Sequence, residues 1–203
     1  MSSEKPRTRI QEKNRALALE AALEVFSRQG FRGATLDEIA REAGLSKPNL
    51  LYYFASKDEI HVTLLEGLVD TWLAPLREMD AEGDPREELL AYVHRKLQMS
   101  RDYPRESRLF AQEVVQGAPR IGAGLSTDLK ALVDEKAAVI RAWSRAGKIA
   151  DVDPHHLIFS IWSLTQHYAD FDVQVRAVLG PGRDPVAEAE GFLDTLFRRL
   201  LAP

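Results

Sequence analysis

Four side chains that can contact DNA lie close together in the first third of the sequence: Lys47, Asn49, Tyr52 and Tyr53. A lysine ammonium can donate to guanine acceptors or to a phosphate, and an asparagine amide can pair with adenine. Phenolic hydroxyls can donate to phosphates, which position a protein on DNA without specifying the sequence. These residue types at this spacing favour binding to duplex DNA.

A second group of side chains could bind a small flat heterocycle. Trp162 and Gln166 are four residues apart, so they share one face of a helix, and Asp170 follows one turn later. A glutamine amide donates and accepts side by side, as the edge of a pyrimidine does. A tryptophan on an apolar helix is more often part of the core, and Asp170 could pair with a neighbour. A buried glutamine without partners is costly, which favours a ligand at Gln166.

The elements that carry the DNA-contacting group form a predicted helix-turn-helix. Residues 35–38 read Thr-Leu-Asp-Glu, a capping box that starts a short helix ending at Gly44. Ser46 caps the next helix, and Pro48 is tolerated in its first turn. A short second helix of this kind fits the major groove with its N-terminal side chains at base edges.

The rest of the chain is predicted to be helical, giving nine helices, no convincing strand and an all-α fold. A second capping box at Ser56–Glu59 starts a longer helix, which Pro75 should kink or stop. Apolar residues lie almost all round the helix predicted from Asp153 to about Val178, so that helix should be largely buried. The other helices are predicted over residues 11–29, 85–102, 104–116, 125–146 and 185–201.

Composition and charge limit the classes of protein to which the chain can belong. The 203 residues are 45% hydrophobic and 29% charged, which is typical of a globular domain, and the absence of cysteine excludes disulfides and thiolate metal sites. The polar N-terminus and the lack of a long apolar run predict a cytoplasmic protein. Residues 1–15 hold five basic and two acidic side chains against a net charge of -4 for the whole chain. This basic stretch is either a phosphate-docking arm or a solubilising tail.

Metal and enzyme chemistry have little support in the sequence. His155 and His156 are adjacent and face different ways, and His167 with Asp170 does not form a metal-binding frame. No phosphate-cradling glycine loop and no nucleophile elbow are present. We therefore expect neither metal nor cofactor and no enzymatic activity. A helical enzyme acting on a small heterocycle is the alternative from another class.

The helix-turn-helix resembles the DNA-binding signature of the TetR family. The matching positions are Thr35, Ile39–Ala40, Ala43–Ser46, Tyr53–Phe54 and Ser56–Lys57. The resemblance implies DNA contacts from Thr35, Ser46 and Lys57, with Lys57 on a phosphate. Leu51 departs from the pattern, because many members have an aromatic residue there. One phosphate contact is therefore missing or is supplied by Tyr52.

Further segments resemble TetR-family regulators of pyrimidine utilisation. They are Leu50–Phe54, Trp72–Leu76, Ser100–Pro104, Asp128–Leu132 and Thr165–Phe171. The resemblance implies uracil or thymine as effector and pyrimidine-related genes as targets. It also implies that Trp72 and Lys96 close a pocket with Trp162, Gln166 and Asp170. A regulator responding to a purine or to a drug-like molecule is the alternative.

The resemblance also implies a homodimer that binds an inverted repeat. Residues 1–55 would form the DNA-binding domain and residues 56–203 the ligand-binding and dimerisation domain. The last two predicted helices would build a four-helix interface between subunits. Phe192, Leu196 and Leu200 give the last helix an apolar stripe, which fits this interface but could equally face its own core. The helix from Ser56 to Met79 would relay ligand binding to the DNA-binding domain.

Overall fold

The computed structural model describes residues 9–203, apart from the Ser126 side chain, and all regular elements in that range are helical. The all-α prediction is therefore confirmed. The first eight residues of the basic N-terminal stretch lie outside the described residues. The helices are α1 (Arg9–Gly33), α2 (Leu36–Glu42), α3 (Lys47–Tyr53), α4 (Lys57–Arg77), α5 (Pro85–Asp102), α6 (Pro104–Val115), the short α7 (Gly122–Gly124), a π-helical turn (Leu125–Leu129), α8 (Lys130–Arg145), α9 (Pro154–Asp170), α10 (Asp172–Leu179) and α11 (Pro185–Leu200).

The helices form two compact units, one ending at Leu68 and the other comprising Val69–Pro203. In the first unit α1, α2 and α3 surround a small core in which Phe26, Ile39 and Leu50 are fully buried. Helix α4 begins in this unit and ends in the second one. None of the described helices is long and apolar enough to cross a membrane.

Local hydrogen bonds set the ends of the short helices as the sequence predicts. The Thr35 hydroxyl accepts from the Glu38 amide at 3.2 Å, and the Glu38 carboxylate accepts from the Thr35 amide at 3.0 Å. Gly44 has φ +66°, a conformation that glycine adopts without strain, so it can end α2 with a tight turn. The Ser46 hydroxyl then accepts from the Asn49 amide at 3.3 Å. These caps hold α2 and α3 in a helix-turn-helix.

The second predicted capping box is only half formed. The Ser56 hydroxyl accepts from the Glu59 amide at 3.1 Å, but the Glu59 carboxylate accepts from the amide of Ala55, one residue earlier than expected. Pro75 is predicted to kink or stop α4, but the helix continues beyond it to Arg77. A proline near the end of a helix removes only one late backbone bond, which the last turn tolerates.

The second unit is built around α5, α8, α9 and α11, whose inward faces share one core. Leu89, Val93, Ile140, Ile158 and Leu193 are among its fully buried side chains. This core holds α5 and α9, two of the three helices that carry predicted ligand residues, against each other.

The helix predicted from Asp153 to Val178 is in fact two helices, and the expectation that it is largely buried is wrong. It breaks at Phe171, whose φ of −114° and ψ of 27° are not helical, and no proline or glycine marks the break. No residue of α10 is buried, and Val173 is 84% exposed. Apolar side chains recur on α9, which packs in the core, and on α10, which has no buried residue. The sequence pattern alone could therefore not show that α10 is exposed.

Candidate DNA-binding helix and ligand cavity

Helix α3 presents one face to its own unit and the other to solvent. Leu50 is fully buried and Tyr53 half-buried, whereas Lys47, Asn49 and Tyr52 are exposed. The three exposed residues, all predicted to contact DNA, therefore remain available in the folded unit. A buried leucine anchors the helix while polar side chains face outward, the arrangement that a helix in the major groove needs.

The two tyrosines are positioned by α1. The Gln11 amide donates to the Tyr52 hydroxyl at 2.8 Å, and the Asn14 amide donates to the Tyr53 hydroxyl at 3.2 Å. Because each tyrosine oxygen accepts in these bonds, its own O–H remains able to donate to a phosphate. Tyr52 could thus supply the contact that Leu51 cannot make.

Other predicted DNA contacts already have partners inside the unit. The Thr35 and Ser46 hydroxyls are used as helix caps, and the Lys47 ammonium lies 2.9 Å from the Asp37 carboxylate on the surface. An exposed ion pair of this kind contributes little to stability, so Lys47 can exchange Asp37 for a nucleic-acid partner at small cost.

The Lys57 ammonium is fixed by contacts within its own unit. Its ammonium donates to the carbonyl oxygens of Phe31 and Ala34, both at 2.7 Å, and lies 4.4 Å from the centre of the Phe31 ring. These bonds tie the start of α4 to the C-terminal end of α1, where carbonyl groups lack helical partners. The structure thus supports a structural task for Lys57, and its phosphate contact stays a prediction.

Replacing Lys57 with methionine is expected to destabilise the protein. Two carbonyls would lose a charged donor, which should lower the free energy of unfolding by about 2 kcal/mol. Urea denaturation measures this loss, and Lys47→Met, which removes an exposed ion-paired lysine, is the matched control. The opposite outcome, unchanged stability with a flatter salt dependence of DNA binding, would assign Lys57 to a phosphate instead.

A small cavity in the second unit brings four of the predicted ligand residues together. Trp72, Lys96, Trp162 and Gln166 come from α4, α5 and α9 and line a space of about 70 Å³. The remaining lining residues are all apolar: Val69, Leu73, Phe110, Leu125 and Leu129. None of these five residues was predicted from the sequence to line the pocket. The cavity thus has an apolar wall and two polar groups.

Lys96 is the less usual of the two polar groups. It is 3% exposed, and burial lowers the pKa of its ammonium to about 8, while the charge of Asp170 opposes that shift. Its Nζ lies 5.5 Å from the centre of the Trp72 ring, a cation–π distance. Its ammonium makes no hydrogen bond within the described part of the chain. A buried ammonium with unused donors favours a ligand that brings an acceptor.

Trp162 and Gln166 differ in whether the protein supplies their side chains with hydrogen-bond partners. The Trp162 indole N–H donates to the Tyr92 hydroxyl at 2.6 Å, which fixes the ring against the cavity. Burial raises the pKa of Tyr92, and the Trp162 bond opposes that rise. The half-buried Gln166 amide has no hydrogen-bond partner among residues 9–203. Its donor and acceptor are therefore both available to a ligand.

Asp170 does not line the cavity. Its carboxylate accepts from the Ser107 hydroxyl at 2.5 Å, and burial raises its pKa against the effect of that bond. Asp170 acts on Lys96 through its negative charge, which opposes the lowering of the Lys96 pKa by burial. The structure thus supports an electrostatic task for Asp170, and its predicted contact with the ligand stays untested.

Comparison with known proteins identifies the family. The profile of "Bacterial regulatory proteins, tetR family" matches residues 18–62, and that of "YcdC-like protein, C-terminal region" matches residues 65–202. The HTH-type transcriptional regulator RutR of Escherichia coli (strain K12) is 49% identical over 174 residues, which cover 86% of this chain and 82% of RutR. The chain belongs to the TetR family. As a TetR-family protein with these relatives, it is a helix-turn-helix transcriptional regulator that binds DNA, and the prediction that it is not an enzyme is confirmed.

Solved structures of other TetR-family regulators share the fold. The ketosteroid regulator KstR2 of Mycobacterium tuberculosis superposes with a TM-score of 0.75 at 20% identity, covering 98% of each chain. AibR, solved in complex with isovaleryl coenzyme A and operator DNA, superposes with a TM-score of 0.73 at 19% identity, covering 94% of this chain and 99% of AibR. At these identities the likeness extends to the fold and leaves the effector open.

Proposed function

We propose that this TetR-family regulator is a cytoplasmic homodimeric repressor of pyrimidine-utilisation genes, released from its operator when uracil or thymine binds the cavity at Trp72, Lys96, Trp162 and Gln166. The observation that carries the proposal is the pair of polar groups in that cavity, the Gln166 amide and the Lys96 ammonium. A pyrimidine offers adjacent N–H and carbonyl groups to the glutamine and a further carbonyl to the lysine. The two tryptophans would cover its flat faces.

The size of the cavity supports a small effector over a large one. About 70 Å³ is far below the roughly 300–1,000 Å³ of clefts that hold drug-sized ligands. A drug-like effector would require the core around Leu125 and Leu129 to open widely. Purines are larger than pyrimidines and present a different edge, so a titration with xanthine separates the two classes.

The homodimer is supported by apolar side chains that the single chain leaves exposed on its last helices. Phe192 and Leu200 of α11 are 60% and 42% exposed, whereas Ala189, Leu193 and Phe197 form the buried face of the same helix. Of the predicted stripe, Phe192 and Leu200 therefore point away from the chain's own core, whereas Leu196 packs partly against it. Phe159, Phe171, Val173 and Val178 add to the exposed apolar surface on α9 and α10. A second copy of the chain would cover such a surface.

The proposed mechanism is a two-state equilibrium that the ligand biases. Trp72, Leu73 and Val69 line the cavity from α4, and the same helix starts in the DNA-binding unit at Lys57. A ligand that binds more tightly when α4 is held away from its DNA-bound position lowers operator affinity by linkage. We expect the operator to be an inverted repeat with half-site centres about one helical turn, roughly 34–36 Å, or a multiple of it apart.

The substitution Gln166→Leu tests the effector site. Losing the amide leaves polar groups of the bound base without partners, which should weaken uracil binding roughly tenfold to a hundredfold. The fold should lose little stability, since leucine has a similar volume and Gln166 bonds to no described residue. Calorimetric titration with uracil measures the affinity. Gln98→Leu, which removes an exposed glutamine bonded to Asp102, is the control.

Two results would contradict the proposed effector site. An unchanged dissociation constant in Gln166→Leu would mean that uracil binds elsewhere. No heat from the wild-type protein with uracil or thymine, but heat with xanthine, would assign the protein to a purine effector.

A further inference from the structure

The exposed surface of α3 is apolar in part. Five side chains on this helix are exposed: Lys47, Pro48, Asn49, Leu51 and Tyr52. Successive residues on an α-helix are turned by about 100°, which places Leu51 and Pro48 between Lys47 on one side and Tyr52 on the other. Leu51 is 40% exposed, while Leu50 next to it is fully buried. The exposed surface of α3 between Lys47 and Tyr52 is thus hydrocarbon.

The exposed polar residues of α3 lie to either side of Leu51 and Pro48. Asn49 lies about 130° round the helix from the midpoint of Leu51 and Pro48, beyond Tyr52. The Tyr52 hydroxyl, held by Gln11, has an O–H that can donate to the DNA backbone. Lys47 can reach either a phosphate or a guanine. Leu51 and Pro48 are the exposed side chains of α3 that lie between Lys47 and Tyr52.

Only one group exposed by the bases in the major groove matches a leucine chemically. Adenine, guanine and cytosine present hydrogen-bonding atoms there, whereas thymine also presents its C5-methyl group. An exposed leucine facing a polar base edge would desolvate that edge without supplying a hydrogen bond, which is unfavourable. Facing a thymine methyl, the same leucine buries apolar surface on both partners.

We propose that Leu51, with Pro48 beside it, contacts the C5-methyl group of a thymine in the operator and makes that position specific for thymine. The proposal rests on DNA binding and is independent of the identity of the effector.

Replacing single thymines with deoxyuridine tests this contact, because only the methyl group is lost. Duplexes that bind the full-length protein are first selected from random sequences, and each thymine in the selected motif is then replaced in turn. We expect one position per copy of the motif at which the replacement weakens binding about fourfold, the size expected for one methyl group withdrawn from an apolar contact. Fluorescence anisotropy at fixed salt measures each dissociation constant.

The Leu51→Ala variant should bind the thymine and deoxyuridine duplexes equally well, because its methyl-contacting side chain is gone. Leu17→Ala, which shortens another partly exposed leucine of the same unit, should keep the fourfold preference. If Leu51→Ala keeps that preference, the methyl is contacted by a different residue. If no thymine position is sensitive to the replacement in the wild-type protein, α3 contacts no methyl group. Either result overturns the proposal.

Discussion

The substitution Lys96→Met is expected to raise the free energy of unfolding by about 3 kcal/mol at pH 7, because it removes a buried charge that folding must desolvate. The pKa of Lys96 falls from 10.5 to about 8 in the folded protein, and each unit of pKa is worth about 1.4 kcal/mol. Methionine has a similar length and fills irregular apolar space well. The same variant should bind uracil more weakly, since the ligand loses its cationic partner. Stability and ligand affinity would then change in opposite directions.

The gain from Lys96→Met should depend on pH in a defined direction. A lysine with a lowered folded pKa releases its proton in the folded state first, so between pH 8 and pH 10.5 the unfolded state binds more protons. Wild-type stability relative to Lys96→Met therefore rises with pH over that window. The difference should be constant below pH 8 and shrink toward zero as the pH approaches 10.5.

Urea denaturation of both proteins from pH 6 to pH 10 measures this difference. Lys148→Met, at an exposed lysine of the same unit, should show neither the gain nor its pH dependence. A destabilised Lys96→Met protein at pH 7 would mean that Lys96 is held by favourable contacts, and the proposed task of the ammonium in ligand binding would lose its basis.

The substitution Phe192→Asp is expected to dissociate the proposed homodimer and to weaken operator binding roughly a hundredfold or more. In a two-fold interface each substitution appears twice, and an unpaired carboxylate enclosed in an apolar contact costs about 3–5 kcal/mol. The isolated chain should fold normally, because Phe192 is mostly exposed within it. Sedimentation equilibrium measures the association state, and anisotropy with operator DNA measures the affinity.

Val115→Asp is the matched control for the dimer prediction. Val115 is 86% exposed at the end of α6, a helix that contributes nothing to the exposed apolar surface described for α9–α11. It should leave both association and DNA binding unchanged. A Phe192→Asp protein that sediments as a dimer would place the subunit interface on another surface, with Val115→Asp showing whether α6 is part of it.

The local features of this protein followed from the sequence. The capping residues Thr35 and Ser46 and the turn at Gly44 depend on residues within a few positions of each other, and the structure forms them as predicted. The family signature depends on the same short-range pattern. The grouping of Trp72, Lys96, Trp162 and Gln166 came from resemblance, since nothing local connects three separate helices.

The tertiary structure decided which partner each of several side chains has. Lys57 bonds to carbonyls 26 and 23 residues earlier in the chain, so its spacing alone could not distinguish a phosphate contact from a structural tie. The break at Phe171 carries no local signal, because no glycine or proline stands there. Phe192 and Leu193 are equally apolar neighbours, yet only Leu193 is packed into the core. Hydrophobicity determines that a side chain leaves water, and the packing of distant helices determines whether its own chain or another molecule covers it.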